Sequence, residues 1–306
     1  MTIAIPVLNE AEAIDACLDA VAAQTYNRIV EVLVVDGGST DATRSIVASR
    51  PGIRLIDNPR RIQAAALNIA LSEAKGDVFV RVDGHCEIAP DYVERCVEAL
   101  ELTSAAMVGG AMTPVAERVF HRGVAAAMSS RLGAGPARFH TGGASCRVDT
   151  VYLGTFSTGL GREVGGYAED VGVNEDAEFA VRMGSRGAIW FDEGIRSTYT
   201  PRGSVRALGR QFYRYGRSRA ATVRKHPRSL AARQLAAPLL VVGLLSPWRG
   251  AVAGAYLTVV AVRSGMEGAR DLGAGMAMAA ALPAMHVCWG VGFLGGLVRA
   301  PQRSAP

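Results

Sequence analysis

The sequence is poor in cysteine and aromatic residues, and its second half is poor in acidic residues. Its 306 residues include five cysteines without a CxxC pair, and aromatic residues make up 6% of the chain. Isolated cysteines of this kind are typical of small buried side chains in a reducing compartment, which argues against a disulfide scaffold. Because 49% of the residues are hydrophobic, the chain can bury a large core, and general disorder is excluded.

Charge is distributed unevenly between the two halves. Residues 1–194 contain 17 Lys/Arg and 26 Asp/Glu, whereas residues 195–306 contain 16 Lys/Arg and only two acidic residues, Glu267 and Asp271. Ten basic residues and no acidic one lie between Arg202 and Arg233, directly before an apolar tail. This pattern favours an anionic membrane surface as partner. Nucleic acid is the disfavoured alternative, because no nucleic-acid motif accompanies the charge.

The apolar tail contains three uncharged runs, at 234–248, 250–262 and 272–298. Only the last is long enough to cross a bilayer, which takes roughly 20 residues. If the first two formed one span, Arg249 would lie near its centre at a cost of roughly 2.5–3.5 kcal/mol, so we expect a hairpin at 247–250. Gly292 and Gly296 form a small-residue pair that would permit close helix packing. No secretory signal opens the chain, and we expect a catalytic domain on the cytoplasmic side of a cell membrane.

The first hundred residues alternate apolar, β-rich runs with helical patterns. Strands are predicted at 2–6, 30–36, 53–56 and 77–82, and helices near 10–24, 40–49, 62–74 and 90–102. Such βαβ alternation predicts an α/β fold with a mostly parallel sheet. The turns after parallel strands collect at one sheet edge, so Asn9, Asp36 and Asp83 are expected to meet there in a ligand crevice.

Residues 105–200 have a looser, Gly-rich pattern. We expect an acceptor site that opens and closes in this region. A helix is predicted to follow Asn174-Glu175-Asp176, and a strand is predicted near 188–191.

Asp83 and His85, two residues apart at the end of an apolar strand, are the candidate metal ligands. A cation there would stabilise the negative charge that develops on a diphosphate leaving group. Mg²⁺ prefers oxygen ligands, and the imidazole shifts the preference toward Mn²⁺. The alternative is a polar turn at the strand end that binds no metal.

Other candidate substrate-binding residues lie at the exits of the first three strands. Asp36 could accept hydrogen bonds from a base or ribose, or it could cap the helix that follows. Asn9 could contact substrate or cap a helix at Glu10, and Pro6 and Glu10 belong to the same candidate group. Arg60 and Arg61, after the third strand, could contact phosphate or base, although paired arginines are usually solvated.

Asp176 is the candidate general base that would remove a proton from an acceptor hydroxyl. Glu175 beside it is a candidate substrate-binding residue. Acidic residues are also favoured at a helix N-terminus without any catalytic role, and that alternative stays open.

Gln211 and Arg214 would share one helix face, and a guanidinium there could clamp a diphosphate. A merely amphipathic helix lying on a membrane is the equally weighted alternative.

Several of these motifs, taken in order, resemble the inverting family 2 glycosyltransferases with a GT-A fold, especially the membrane-associated, succinoglycan-type enzymes. The resemblance rests on Pro6-Val7-Leu8-Asn9-Glu10, Val35-Asp36-Gly37-Gly38-Ser39, Asp83-Gly84-His85, Asn174-Glu175-Asp176 and Gln211-Phe212-Tyr213-Arg214-Tyr215. It implies that Asp36 recognises the nucleotide base, that Asp83 contacts ribose and metal, and that Asp176 is the general base. It also implies that Arg214 approaches the diphosphate or the acceptor.

The chain departs from the family pattern at two positions. His85 stands where the common D-x-D form has a second aspartate, and Tyr215 replaces the tryptophan of the processive members. Single-sugar transfer is therefore favoured over processive polymerisation. The resemblance implies a nucleotide sugar donor, with UDP-sugar favoured, a lipid-linked or glycan acceptor, and Mn²⁺ or Mg²⁺.

We accordingly expect a catalytic domain at 1–200, a basic interface segment at 201–233 and membrane-associated helices at 234–306. Two alternative functions stay open. A sugar nucleotidyltransferase would also use a doubly wound sheet and a metal, but its Gly-rich basic triphosphate loop is absent from the amino-terminal region. A non-catalytic scaffold that binds a nucleotide sugar is the other alternative.

Overall fold

The computed structural model describes residues 1–298 and divides them into two compact units. The first unit comprises Met1–Thr113, Gly142–Glu169 and Glu175–Tyr199, and the second comprises Pro114–Thr141, Asp170–Asn174 and the residues from Thr200 onward. These units are discontinuous in sequence, unlike the three continuous segments expected above. The roles predicted for those three segments stay proposals. Residues 299–306 of the third segment lie outside the described residues.

The first unit is built on one mixed sheet whose strand order is β3-β2-β1-β4-β8-β6-β9-β5, with β7 paired to β9. The strands are β1 Thr2–Val7, β2 Glu31–Asp36, β3 Ile53–Asp57, β4 Val78–Arg81, β5 Glu87–Ile88, β6 Met107–Pro114, β7 Cys146–Arg147, β8 Tyr152–Ser157 and β9 Ile189–Tyr199. The first four are parallel, and β8 runs antiparallel to both β4 and β6. The predicted α/β fold and its four amino-terminal strands are confirmed.

Helices flank this sheet and make up most of the second unit. They are α1 Ile14–Ala22, α2 Thr43–Ala48, α3 Gln63–Glu73, α4 Tyr92–Thr103, α5 Val119–Met128, α6 Arg138–Thr141, α7 Thr158–Glu163, α8 Glu175–Gly184, α9 Val205–Lys225, α10 Ala236–Leu245, α11 Arg249–Gly268 and α12 Leu272–Val298. Helices α5, α6 and α9 to α12 belong to the second unit.

Alternation along β1 places its side chains in two separate cores. Ile3 and Ile5 are fully buried in one apolar cluster, and Ala4 between them is fully buried in the other. Successive side chains of a strand point to opposite faces of the sheet, so helices cover both faces. The edge at which the parallel strands end is therefore held in place from two sides.

The segment 105–200 is more regular than its glycine content suggests. It contributes β6, β8 and β9 to the sheet. A Cβ atom at Gly110 would lie 1.9 Å from the carbonyl oxygen of Ile195, so glycine there permits close approach of another chain segment. The expectation of a generally loose segment was wrong for these strands. The strand predicted near 188–191 is confirmed at its start and extends to Tyr199.

Small residues let the helices of the second unit pack closely. A Cβ atom at Gly292 would lie 2.1 Å from the carbonyl oxygen of Tyr213, and one at Gly296 would lie 2.9 Å from that of Arg217. The small-residue pair therefore packs α12 against α9. A break between α10 and α11 confirms the predicted hairpin near 247–250. Within residues 1–298, Leu272–Val298 is the one helix long and apolar enough to span a membrane.

Candidate active site

The exit of β1 is joined to the exit of β2. Asn9 adopts a positive φ of 56°, its Oδ1 accepts a hydrogen bond from Thr40 N at 2.8 Å, and its own N–H donates to Ser39 Oγ at 2.8 Å. Helix α1 begins only at Ile14, so the alternative role of Asn9 as a helix cap was wrong. Pro6 is buried in β1, beyond the residues that β1 pairs with β4, where its missing N–H costs no ladder bond.

Asp36, at the end of β2, is buried and already engaged by its own chain. Its carboxylate accepts hydrogen bonds from Gly38 N at 3.1 Å, from Ser39, and from Arg44 Nη1 at 2.7 Å. Burial opposes ionisation of Asp36, but the bonds from Ser39 and Arg44 outweigh it and hold its pKa below the usual value. Asp36 therefore stabilises the turn that follows it. A nucleobase that bonded to Asp36 would share the carboxylate with Arg44.

A cleft of about 290 Å³ opens beside this turn. Arg61, with a φ of 60°, donates to the carbonyl oxygens of Gly37 and Gly38, at 3.1 Å each. Pockets for small ligands begin near ~300 Å³, so the cleft suits a fragment the size of a nucleobase. Arg60 instead pairs with Glu169. The lining residues are Asp36, Gly37, Gly38, Asp57, Asn58, Pro59 and Arg61.

Asp83 follows β4 and is clamped by Arg81. Arg81 Nε lies 2.9 Å from Asp83 Oδ1 and Nη2 lies 3.3 Å from Oδ2, while Gln63 Nε2 donates to Oδ1 at 3.1 Å. Both Arg81 and Asp83 are buried. A Cβ atom at Gly84 would lie 2.7 Å from Val7 Cγ1, so glycine is required where this turn passes the end of β1.

The acidic pair at the N-terminus of α8 faces the same guanidinium. Arg81 Nη1 lies 3.3 Å from Glu175 Oε1, and Asp83 and Asp176 both interact electrostatically with Arg81. Glu175 is 1% exposed, and its Oε2 has no hydrogen-bond partner among the described residues. Burial raises the pKa of Glu175 to about 7 against the opposing effect of Arg81, and burial also raises the pKa of Asp176. The structure thus brings together Asp83, Glu175 and Asp176.

Arg81 was missed by sequence reasoning. The available signal was a single charged residue inside the apolar run 78–82, where a solvated arginine would not be expected. Only the fold shows that this side chain reaches carboxylates on two separate segments.

His85, the second predicted metal ligand, has a half-exposed side chain. Its Nδ1 lies 3.1 Å from Oε1 of Glu10. No group of three or more potential ligand side chains occurs within residues 1–298. A metal at Asp83 and His85 would need further ligands from substrate or water. An imidazole oriented by a carboxylate is a common metal-site arrangement, so the donor set fits a divalent cation.

Gln211 and Arg214 lie on α9 in the second unit. Gln211 Nε2 donates to Tyr215 Oη at 2.8 Å, and Arg214 is exposed. The substitution of tyrosine in this motif therefore supplies a hydroxyl that orients the glutamine amide. The role predicted for Arg214 at a diphosphate stays a prediction.

The mixed sheet flanked by helices, with a cleft where its parallel strands end, has the GT-A type of fold. The family model for glycosyl transferase family 2 matches residues 2–155, and the chain belongs to this family. It is 34% identical to the succinoglycan biosynthesis protein ExoA of Rhizobium meliloti, over 95% of this chain and 93% of that protein. It is also 26% identical to the dolichyl N-acetyl-alpha-D-glucosaminyl phosphate 3-beta-D-2,3-diacetamido-2,3-dideoxy-beta-D-glucuronosyltransferase of Methanococcus voltae, over 74% of each chain.

Solved structures support the same fold. The mannosyltransferase PcManGT from Pyrobaculum calidifontis, in complex with GDP-Man and Mn²⁺, matches with a TM-score of 0.65 at 23% identity, over 97% of this chain and 86% of that chain. S. aureus TarS 1-349 in complex with UDP matches with a TM-score of 0.55 at 16% identity, over 94% and 89%.

Proposed function

We propose that this protein is an inverting, metal-dependent glycosyltransferase that moves one sugar from a nucleotide diphosphate donor to an acceptor hydroxyl. The observation that carries the proposal is the cluster around Arg81, where Asp83 from the end of β4 lies close to the acidic pair of α8. In the proposed reaction Asp83 would lie on the donor side of the reaction centre, and a base from α8 would lie within reach of the acceptor hydroxyl.

Asp176 is the residue we propose as the base. It is partly exposed, whereas its neighbour Glu175 is buried and paired with Arg81. A base must reach the proton that it removes, which favours the accessible carboxylate of the two. Burial raises the pKa of Asp176, which improves its match to a hydroxyl proton, and the charge of Arg81 acts in the opposite direction. Glu175 would hold Arg81 and, through it, the arrangement of the pair.

Asp83 and His85 are the residues that would hold Mn²⁺ or Mg²⁺. A bound cation would supply Lewis-acid stabilisation of the departing diphosphate, an effect of several kcal/mol. The chain itself contributes the orientation of the ligands. Arg81 and Gln63 hold the Asp83 carboxylate, and Glu10 contacts Nδ1 of His85.

The cleft lined by Asp36 and Arg61 would receive the nucleobase. We propose a UDP-sugar donor from the family resemblance and from the UDP complex of TarS. GDP-mannose, present in the PcManGT complex, is the donor to test beside it. A lipid-linked or glycan acceptor is consistent with the activity that the name of the Methanococcus voltae relative states. Gln211 and Arg214 would approach the diphosphate or the acceptor.

The second unit would attach the enzyme to the cytoplasmic face of a membrane. Half or more of the surface of several apolar side chains on α10 and α11 is exposed, in contrast with the core of the first unit. Lipid contact would remove this apolar surface from water. Among these exposed side chains are Leu239, Val242, Leu245, Leu257, Val259, Val262 and Met266.

The proposal is tested by D176N. Purified wild-type protein is incubated with UDP-glucose, UDP-N-acetylglucosamine, UDP-galactose or GDP-mannose and Mn²⁺, and donor turnover is measured with and without membrane extract. D176N should lose turnover by at least about 100-fold, in the range for loss of an acid–base group. Binding of UDP with Mn²⁺, measured by calorimetry, should stay unchanged.

The matched control is E163Q, which removes an exposed carboxylate that pairs with Arg186 in the same unit. It should leave turnover unchanged. Wild-type turnover by D176N would remove the base assignment. Absence of turnover by the wild-type protein with every donor, despite nucleotide binding, would favour the non-catalytic scaffold. Membership of family 2 already disfavours the nucleotidyltransferase alternative.

A further inference from the structure

We infer that Arg81 is a positioning residue that holds the donor-side carboxylate of Asp83 and the acceptor-side pair of α8 in a single cluster. The inference rests on the proposed function, and it adds a residue that the motifs of the sequence do not include. Arg81 lies on β4, two residues before Asp83, and is 5% exposed.

The guanidinium uses different nitrogen atoms for the two segments. Nε and Nη2 contact the two oxygens of Asp83, while Nη1 lies 3.3 Å from Glu175 Oε1. Arginine presents five donors in a rigid planar fork, so one side chain can fix two carboxylates at a defined separation. Lysine, with a compact charge on a flexible stem, would keep the charge without the geometry.

The need for such a cation follows from the charges gathered there. Asp83, Glu175 and Asp176 all interact electrostatically with Arg81, and Glu175 is almost fully buried. Buried like charges repel strongly, so without Arg81 the carboxylates would separate. Separation would displace the base from the donor-side carboxylate. A displacement of about 1 Å at a reaction centre can cost about 100-fold in rate.

Arg182 provides a matched control, because it lies on α8, the helix that carries Glu175 and Asp176. It belongs to the first unit, pairs with the buried Glu178 at 2.7 Å, and donates to the carbonyl oxygens of Val164 and Gly166 at 2.6 Å each. It is thus a multiply bonded arginine like Arg81, although its side chain is 22% exposed and that of Arg81 only 6%. Because its acidic partner is Glu178, which has no part in the proposed chemistry, its loss should affect stability without affecting the chemical step.

The experiment compares R81K and R81M with R182K and R182M, all in the full-length protein and well below their unfolding temperatures. We measure kcat and KM with the nucleotide sugar that the wild-type protein turns over fastest. Calorimetry gives the Kd for UDP with Mn²⁺, and thermal unfolding gives the folded fraction. R81M should lower kcat about 100-fold and R81K about tenfold, in line with the cost of misplacement.

The Kd for UDP with Mn²⁺ should change by less than kcat does in both Arg81 variants, because the nucleobase cleft is formed by other residues, although Arg81 also contacts Asp83, the proposed metal ligand. R182M should lower the unfolding temperature but keep kcat per folded molecule within about twofold. A purely structural Arg81 would give equal losses of kcat in R81M and R182M, which would overturn this inference alone. If R81M does not fold, the comparison of R81K with R182K decides in the same way. Absence of turnover by the wild-type protein would overturn the proposed function and this inference together.

Discussion

Nδ1 of His85 lies 3.1 Å from Oε1 of Glu10, so residues that follow two different parallel strands meet at one ring. If Nδ1–H donates to Glu10, the lone pair of the imidazole lies on Nε2, the atom that would bind a cation. We therefore predict that E10Q lowers the affinity for Mn²⁺ in the presence of UDP about tenfold. Loss of a carboxylate that orients a metal-binding histidine typically lowers metal affinity by about 10–100-fold.

Calorimetric titration of Mn²⁺ in the presence of UDP measures this change. E12Q is the control, because Glu12 is an exposed carboxylate two residues further along the chain. Equal losses of Mn²⁺ affinity in E10Q and E12Q would contradict the prediction, because they would show an effect of the overall negative charge and not of the contact between Glu10 and His85.

Asp36 should make stability depend on acid pH. Its pKa is lowered in the folded protein because the bonds from Ser39 and Arg44 outweigh burial, so the folded state binds this proton less readily than the unfolded state. The stabilisation is present above the usual aspartate pKa of ~3.9 and is lost as pH falls below it. Urea unfolding should therefore show a gap between the wild-type protein and D36N near neutral pH that narrows as the pH approaches about 3. A gap of constant size would contradict this prediction.

Glu175 should act in the opposite sense. Burial raises its pKa to about 7, so the folded state binds the proton more tightly than the unfolded state does. The free energy of unfolding should therefore fall as pH rises from the usual glutamate pKa of ~4.3 to about 7. The charged groups that act on Glu175 are Arg81, Asp176 and Asp83.

We predict that E175Q removes part of this pH dependence, so that its stability relative to the wild-type protein improves between about pH 5 and about pH 8. Urea unfolding across that range tests the prediction. A relative stability that does not change with pH would contradict it.

Gly84 should not tolerate a side chain, because a Cβ atom there would lie 2.7 Å from Val7 Cγ1. Overpacking of this kind typically costs about 1–3 kcal/mol, and we expect G84A to lose stability in that range and to weaken UDP binding. The double variant G84A/V7A removes the clashing methyl group and should recover part of the loss. Urea unfolding and calorimetry of G84A, V7A and G84A/V7A measure both effects, and failure of V7A to rescue G84A would contradict the steric explanation.

The glycines of α12 provide a matched test of helix packing. A Cβ atom at Gly292 would lie 2.1 Å from the Tyr213 carbonyl oxygen, whereas nothing lies within 4 Å of one at Gly295. G292A should therefore lower the thermal unfolding temperature of the detergent-solubilised protein. G295A should raise it or leave it unchanged, since alanine is favoured over glycine by about 1 kcal/mol inside a helix. The opposite order would mean that α9 and α12 do not pack as described.

The parallel part of the sheet could be predicted from sequence because each of its strands and helices is indicated by a short, continuous pattern of residues. Short apolar runs such as 30–36 alternate with helical patterns, and the rules for parallel connections then bring Asp36 and Asp83 to one edge. The antiparallel strands β6 and β8 were not predicted, and of β9 only the start was predicted. Glycines such as Gly110 serve close approach between segments distant in sequence, and in the sequence they look the same as glycines of a flexible loop.

The sequence alone was enough to single out Asp83, His85 and Asp176 as candidate site residues, through their order and spacing. Their grouping was decided by the tertiary structure, since Glu175 lies more than ninety positions after Arg81 and no local pattern links them. Burial is the physical reason that this matters. A carboxylate acquires a shifted pKa and requires a cation only when the fold removes it from water, and the extent of that removal depends on every segment packed around it.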